Sequence, residues 1–376
     1  MVLWLPGFMV AYWWVLILEA LAAALVIGLL ALAAPKLVRS NPRSLTQLRV
    51  SMAVTAVAIF LGGVGLILGV SELIARYYGS PGLAGGMALG VAAFVAIIMV
   101  LQWLFAPHII NAIYRTRPPE TPYELQLQVE LERLARASGV KTPKLRIAET
   151  MVPNAFAYGS PLTGNYVAVT KGLLRSAPRE EVIAVLGHEV GHLKHRDVAW
   201  ILALSLIPLA IYFLGRMLIW SAFFSGTGRR DRESGGPLLL LAIGALLVVA
   251  GILFRFLVAH FNRLREYYAD AHSALTTGNP RWLQRALARI HVTVKNDPRV
   301  RAEIAQASTI SQLFIVAPLV ELFGGFAYDI DYVVEQLKRS ETSAFEELVS
   351  SHPPIPKRLR FLDEIEERLG IEVPLK

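Results

Sequence analysis

Long uncharged runs alternate with shorter polar blocks along this chain. Five runs are long enough to cross a bilayer, which takes about 20 helical residues. They cover residues 8–34, 50–71, 87–106, 198–220 and 237–254. The first is interrupted by Glu19, the second carries no charge, and the fourth contains Pro208 and Arg216. The first run lacks a basic leading segment and is too long for a cleaved signal peptide, so it reads as a span. Two blocks between and after the runs are polar enough to face water. In the first, residues 122–138 predict a helix and 144–149, 154–159 and 166–170 predict short strands separated by Pro and Gly. A further helix begins near Pro178, with Glu180 and Glu181 in its first turn. The second block, 266–376, reads as mostly helical, with an apolar stretch at 310–327 taken as a buried helix pair.

The pattern divides the chain into a membrane region at 1–107 with three spans and a block at 118–197 carrying the sheet and the second helix. A transmembrane hairpin follows at 198–260, then a helical block at 261–376. The fold class is therefore a mainly α membrane protein with about five spans and an α+β domain whose small sheet is expected to be antiparallel.

Composition agrees. Of 376 residues, 55% are hydrophobic and 18% charged, against roughly 25% charged in a soluble domain. The mean hydropathy is +0.49. There is no cysteine, which excludes disulfides, thiolate metal sites and thiol catalysis. The net charge of +8 comes without the aromatic and basic constellation of a nucleic-acid binder, so no nucleic-acid partner is expected. Lys36, Arg39, Arg43 and Arg49 crowd the first loop, and only Glu72 and Arg76 the second. By the positive-inside rule the N-terminus is outside and the polar blocks are cytoplasmic. The turn with Arg229, Arg230 and Arg232 runs against that assignment.

The chemistry concentrates in Gly187-His188-Glu189-Val190-Gly191-His192. Residues i and i+4 share a helix face, so His188 and His192 can present two imidazoles to one metal ion. Glu189 lies beside that face, placed to take a proton from a metal-bound water. The bland alternative is two surface histidines with an incidental glutamate. Charged neighbours at both ends mark the helix as water-facing or interfacial. A catalytic zinc needs a third protein ligand. His195 is too far along a rigid helix to join the other two. Glu266 is the best candidate: the hairpin would return it to the level of the histidines. Asp270, one turn on, can orient a ligand histidine. His260 and His272 are weaker rivals.

These segments together resemble the HtpX-like membrane zinc metallopeptidases, relatives of the CAAX prenyl proteases. The resemblance is carried by HEVGHLKHRD (188–197), REYYAD (265–270), PNAFAYG (153–159) and SHPPIPKRL (351–359). It implies one Zn²⁺ per chain held by His188, His192 and Glu266, a gluzincin-type set, with Glu189 as general base. It also implies Asp270 and Arg358 behind the ligands, His352 stabilising the oxyanion, and Asn154 on an edge strand holding substrate backbone. Unfolded or misfolded membrane proteins are the implied substrates, and quality control the implied role. Such proteins usually carry two spans before the catalytic block, whereas this chain has three. Glu19 in the extra span reads equally as a protonated, helix-packed carboxyl or a functional one. Three other readings compete with this one. An intramembrane site-2-type protease lacks its Asp-Gly segment here, and a prenyl-protein processing enzyme needs more spans. A non-catalytic metal-binding membrane protein, a sensor or transporter, leaves the glutamate after the first histidine without a purpose.

Overall fold

The computed structural model describes residues 45–78, 81–195, 197–225, 236–306 and 329–369. Glu19, the first span, the basic residues at 36–43, the arginine turn at 229–232 and the apolar stretch at 310–327 lie outside them. The chain divides into two compact units. Among described residues the first comprises 54–99 and 202–260, and the second 45–53, 100–201 and 261–369.

The first unit is built from four long helices that continue into the second: α1 (Leu45–Tyr78), α2 (Pro81–Ile113), α6 (Asp197–Ser225) and α7 (Gly236–Thr277). All four are long and apolar enough to cross a membrane. They coincide with the four runs predicted beyond the first. Their outward side chains are large and apolar, such as Leu61 at 65% and Leu89 at 72% exposure. Apolar exposure on this scale needs a lipid partner. Helices α6 and α7 approach through glycine. A Cβ on Gly215 would stand 2.8 Å from the Gly244 carbonyl, and one on Gly244 2.7 Å from that of Gly215. Small residues let helix backbones pack closely where lipid gives no hydrophobic drive.

The second unit holds the sheet. Helix α3 (Pro122–Ala137) begins at a capping box between Thr121 and Glu124, with Pro122 in the first turn. Strands β1 (Lys144–Ala148), β2 (Ala155–Ser160) and β3 (Gly164–Thr170) follow. Their order is β1-β3-β2. β2 and β3 form an antiparallel hairpin, with Gly164 at φ +76° after its three-residue loop. β1 pairs with β3 in parallel, so the sheet is mixed rather than wholly antiparallel. The link at 149–154 contains Pro153 and makes no tight turn, so β2 skips one position and β3 fills it. That leaves β2 at an edge.

Helices α4 (Lys171–Ser176), α5 (Arg179–Lys194), α8 (Pro280–Asn296), α9 (Pro298–Gln306), α10 (Ile330–Arg339), α11 (Ala344–Val349) and α12 (Ile355–Leu369) complete this unit. Its core joins Leu127 and Leu131 of α3, Val167 and Val169 of β3, Val185 and Leu186 of α5, Leu287 of α8 and Leu359 of α12, all at 0% exposure.

Candidate metal centre

Helix α5 carries the two histidines. Its charged flanks predict a water-facing helix, yet every residue from Glu181 to Gly191 is buried. Most of the charges sit at the helix ends, and buried Glu181 is paired: Arg289 grips it with two hydrogen bonds of 2.7 and 2.9 Å. The centre of the helix is thus protein interior rather than surface or lipid.

Glycine makes the next step possible. A Cβ on Gly191 would lie 3.1 Å from the Ala269 Cα and the His272 Cβ, and one on Gly187 3.2 Å from Ser273 Oγ. With hydrogen there instead, α5 and the polar end of α7 come close enough for Ser273 to donate to the Ala184 carbonyl at 2.6 Å. Glu266 and Asp270 share a face of α7 one turn apart, and this approach delivers both to the histidines.

The donor atoms then converge. His188 Nε2 and His192 Nε2 are 3.1 Å apart. Glu266 Oε2 is 3.6 Å from the first and Oε1 is 3.5 Å from the second. Ligands about 2.0–2.2 Å from a tetrahedral ion stand about 3.3–3.5 Å from one another, so these separations suit a single metal. The rest of the wiring agrees. His188 Nδ1 lies 2.9 Å from Asp270 Oδ1; a proton on that nitrogen, facing the carboxylate, turns the Nε2 lone pair to the cluster. Buried Glu266 Oε2 has no hydrogen-bond donor in proper geometry. Two ring nitrogens facing each other beside a carboxylate oxygen without a donor are a natural seat for a cation.

Arg358 closes the back of the site. Fully buried in the first turns of α12, it donates to Asp270 through Nε at 2.8 Å and Nη2 at 2.6 Å. Its Nη1 stands 3.4 Å from Glu266 Oε2. Burial alone would lower the Arg358 pKa; the Asp270 and Glu266 carboxylates more than offset this and hold it above its ordinary range. His352, from the loop before α12, brings Nδ1 to 3.3 Å from Glu266 Oε2. Glu189 is buried beside His188 at 3% exposure. His192 and His352 retain side-chain exposures of 16% and 14%, against 1% for His188, so the cluster opens on their side.

The structure therefore gathers His188, His192, Glu266, Asp270, Arg358 and His352 around one point. Asn154 belongs to another element. It is buried at the head of β2, where its N–H donates to Thr170 Oγ1 at 2.9 Å and its carbonyl accepts from Thr170 N at 3.0 Å. Among the rivals, His195 caps α5 and packs edge-on against Tyr268. His272 meets Ser138 Oγ at 2.9 Å, and exposed His260 falls in the first unit. Sequence reasoning missed Arg263. One turn before Glu266, it is buried and donates to the Leu348 and Ser350 carbonyls at 3.3 and 2.6 Å, holding the strand of chain that leads into His352. Its only signal was a second arginine three residues ahead of Glu266, which looks like the basic end of a membrane helix.

Comparison with known proteins gives the same direction. The profile of Peptidase family M48 matches residues 123–366. A "Protease HtpX homolog" of Aeropyrum pernix is 52% identical over 320 residues, 85% of this chain and 98% of that protein. Another from Thermoplasma acidophilum is 39% identical over 85% of this chain and 97% of its own length. The crystal structure of S. mikatae Ste24p aligns with a TM-score of 0.46 at 18% identity, covering 85% of this chain and 67% of that one. A profile match over most of the chain, together with these identities, means that the chain belongs to Peptidase family M48, as a multi-pass membrane metalloprotease.

Proposed function

We propose that the protein is a zinc-dependent endopeptidase whose 118–197 and 261–376 blocks together form a catalytic domain facing the cytoplasm, with the N-terminus outside. The observation that carries this reading is the set of donor separations among His188, His192 and Glu266, 3.1 to 3.6 Å, which matches a tetrahedral zinc. Bound there, zinc supplies Lewis-acid polarisation of a peptide carbonyl and lowers the pKa of a coordinated water to about 7.

The chain's own groups do the rest. Glu189 takes the proton of the attacking water and passes it to the leaving amine. His352, beside Glu266, donates to the oxygen on which negative charge develops. Asp270 keeps the His188 proton on Nδ1, and Arg358 keeps Asp270 ionised and fixed. β2, with Asn154 at its head, offers main-chain partners to an extended substrate. A peptide must be locally unfolded to add as a strand, which supports unfolded or misfolded membrane proteins as substrates and a role in quality control.

The test is to purify the full chain in detergent under chelator, restore zinc, and follow cleavage of an unfolded casein by the protein and by Glu189→Gln. Cleavage should require zinc and fall at least about 10³-fold in the variant, while zinc content stays at one per chain. Full zinc-dependent cleavage by Glu189→Gln would sink the mechanism.

A further inference from the structure

The open edge of β2 is shorter than the strand itself. Main-chain direction follows from the ladder. Thr170 N–H donates to the Asn154 carbonyl at 3.0 Å, and the register runs Ala155↔Val169 through Ser160↔Gly164. Antiparallel pairing alternates between residues that bond the partner strand and residues that do not. Asn154, Phe156 and Tyr158 therefore face β3, and the amides and carbonyls of Ala155, Ala157 and Gly159 point away from it toward the unpaired edge, Ala157 half-buried and Ala155 buried. Of these three, Gly159 is taken: the Trp103 indole donates to its carbonyl at 3.1 Å.

Trp103 is held there by the fold. It lies on α2 one turn before Pro107, which has no N–H to return to the Trp103 carbonyl, so the helix is loosened at this turn. Beyond Pro107, α2 packs on the aromatic face of the sheet. Ile110 and Tyr114 meet Phe156, Tyr158 and Tyr166, and Tyr158 donates to Asn111 Oδ1 at 2.6 Å. An indole that spends its one donor on the outermost of these carbonyls is a stop, of the kind proteins use to blunt an exposed strand.

We infer that Trp103 sets how far a substrate strand extends along β2. Peptide backbone pairs with Ala155 and Ala157, and Trp103 ends the pairing at Gly159. Trp103 is in this sense a specificity-determining residue, limiting backbone recognition to two alternate peptide positions. The inference rests on the strand-addition reading above.

A backbone scan tests it. The probes are peptides of one sequence that the zinc-loaded full chain cleaves from unfolded casein, each with a single amide N-methylated, on both flanks of the scissile bond. The wild type should show two sensitive amides two residues apart on one flank, each losing about tenfold in kcat/KM, the worth of one backbone hydrogen bond. Trp103→Ala should add a third sensitive amide two residues farther out. Trp103→Phe keeps the ring against the sheet but frees the Gly159 carbonyl, and should show the same third position more weakly. Far-UV dichroism and zinc content should match wild type in both. A third sensitive amide already present in the wild type, or only two in both variants, would overturn the role of Trp103 and leave strand addition standing. Cleavage insensitive to every N-methyl group would overturn both.

Discussion

The ion cluster at the start of α3 and the cluster on α7 use the same residue types to opposite ends. Glu124 is buried and saturated. It accepts from Arg117 at 2.7 and 2.9 Å, from Glu120 N at 2.8 Å and from Thr121 N at 3.1 Å. Glu266 is equally buried, and its neighbours stand off. His188, His192, His352 and Arg358 approach it only to 3.3–3.6 Å, beyond ordinary hydrogen-bond length. Asp270, one turn away, is saturated like Glu124, by Arg358. A carboxylate whose lone pairs are filled by the protein builds structure. One ringed at a distance by lone pairs and cations is built around something the chain does not itself supply.

The largest effect expected from this contrast is on the saturated side. Arg358→Met should leave Asp270 buried and uncompensated, lowering stability by about 3–5 kcal/mol and zinc affinity by roughly 10–100-fold. Denaturant midpoints with and without zinc would measure both. Glu266→Gln should behave in the opposite way. Zinc affinity should fall at least about 100-fold, since a ligand matters more than the groups behind it, while the zinc-free protein should lose less stability than Arg358→Met does, because Asp270 still pairs with Arg358. A loss of zinc-free stability as large as that of Arg358→Met would mean that Glu266 is structural after all.

Glu124 sharpens the comparison through pH. Its hydrogen bonds with Arg117 pull its pKa down to about 2, against burial, which works the other way. A depressed native pKa gives stability that is present above the unfolded value, about 4.3, and lost as pH falls toward 2. Glu124→Gln should therefore cost on the order of 2 kcal/mol at pH 7, and the gap from wild type should close between about pH 5 and 2. A gap independent of pH would show that the Arg117 pair is not its source. The smallest effect is expected at Gly191. The alanine methyl would press on the Ala269 backbone, 3.1 Å away. Overpacking of about 1–3 kcal/mol outweighs the gain in helix propensity of about 1 kcal/mol. Weaker zinc binding should accompany it, because α5 and α7 must part slightly.

The legible part of this site was local. His188 and His192 repeat at the helical period, Glu189 follows directly, and the polar end of α7 keeps Glu266 and Asp270 on one face. The helix starts at Pro122 and near Pro178 and the four described spans were equally plain, because start signals and apolar runs act over a few neighbouring residues. Two expectations failed for a common reason. The β1–β3 pairing is parallel, and the interior of α5 is buried despite its charged ends. Strand neighbours and helix environment depend on what the rest of the chain packs against them, and neighbouring charge reports only on the ends.

By itself, then, the sequence determined the spans, the helix that bears the histidines and the residue types able to ligate, all set by periodicity and capping over one or two turns. The sequence put Glu266 ahead of His260 and His272, and only the tertiary structure brought its carboxylate to the two histidines. It alone decided that Arg263 holds the chain leading to His352 and that Trp103 closes the edge of β2. Each of these depends on a contact between residues more than fifty positions apart. Such contacts exist because glycine lets α5 and α7 meet and the sheet's aromatic face receives α2, and no local pattern encodes either.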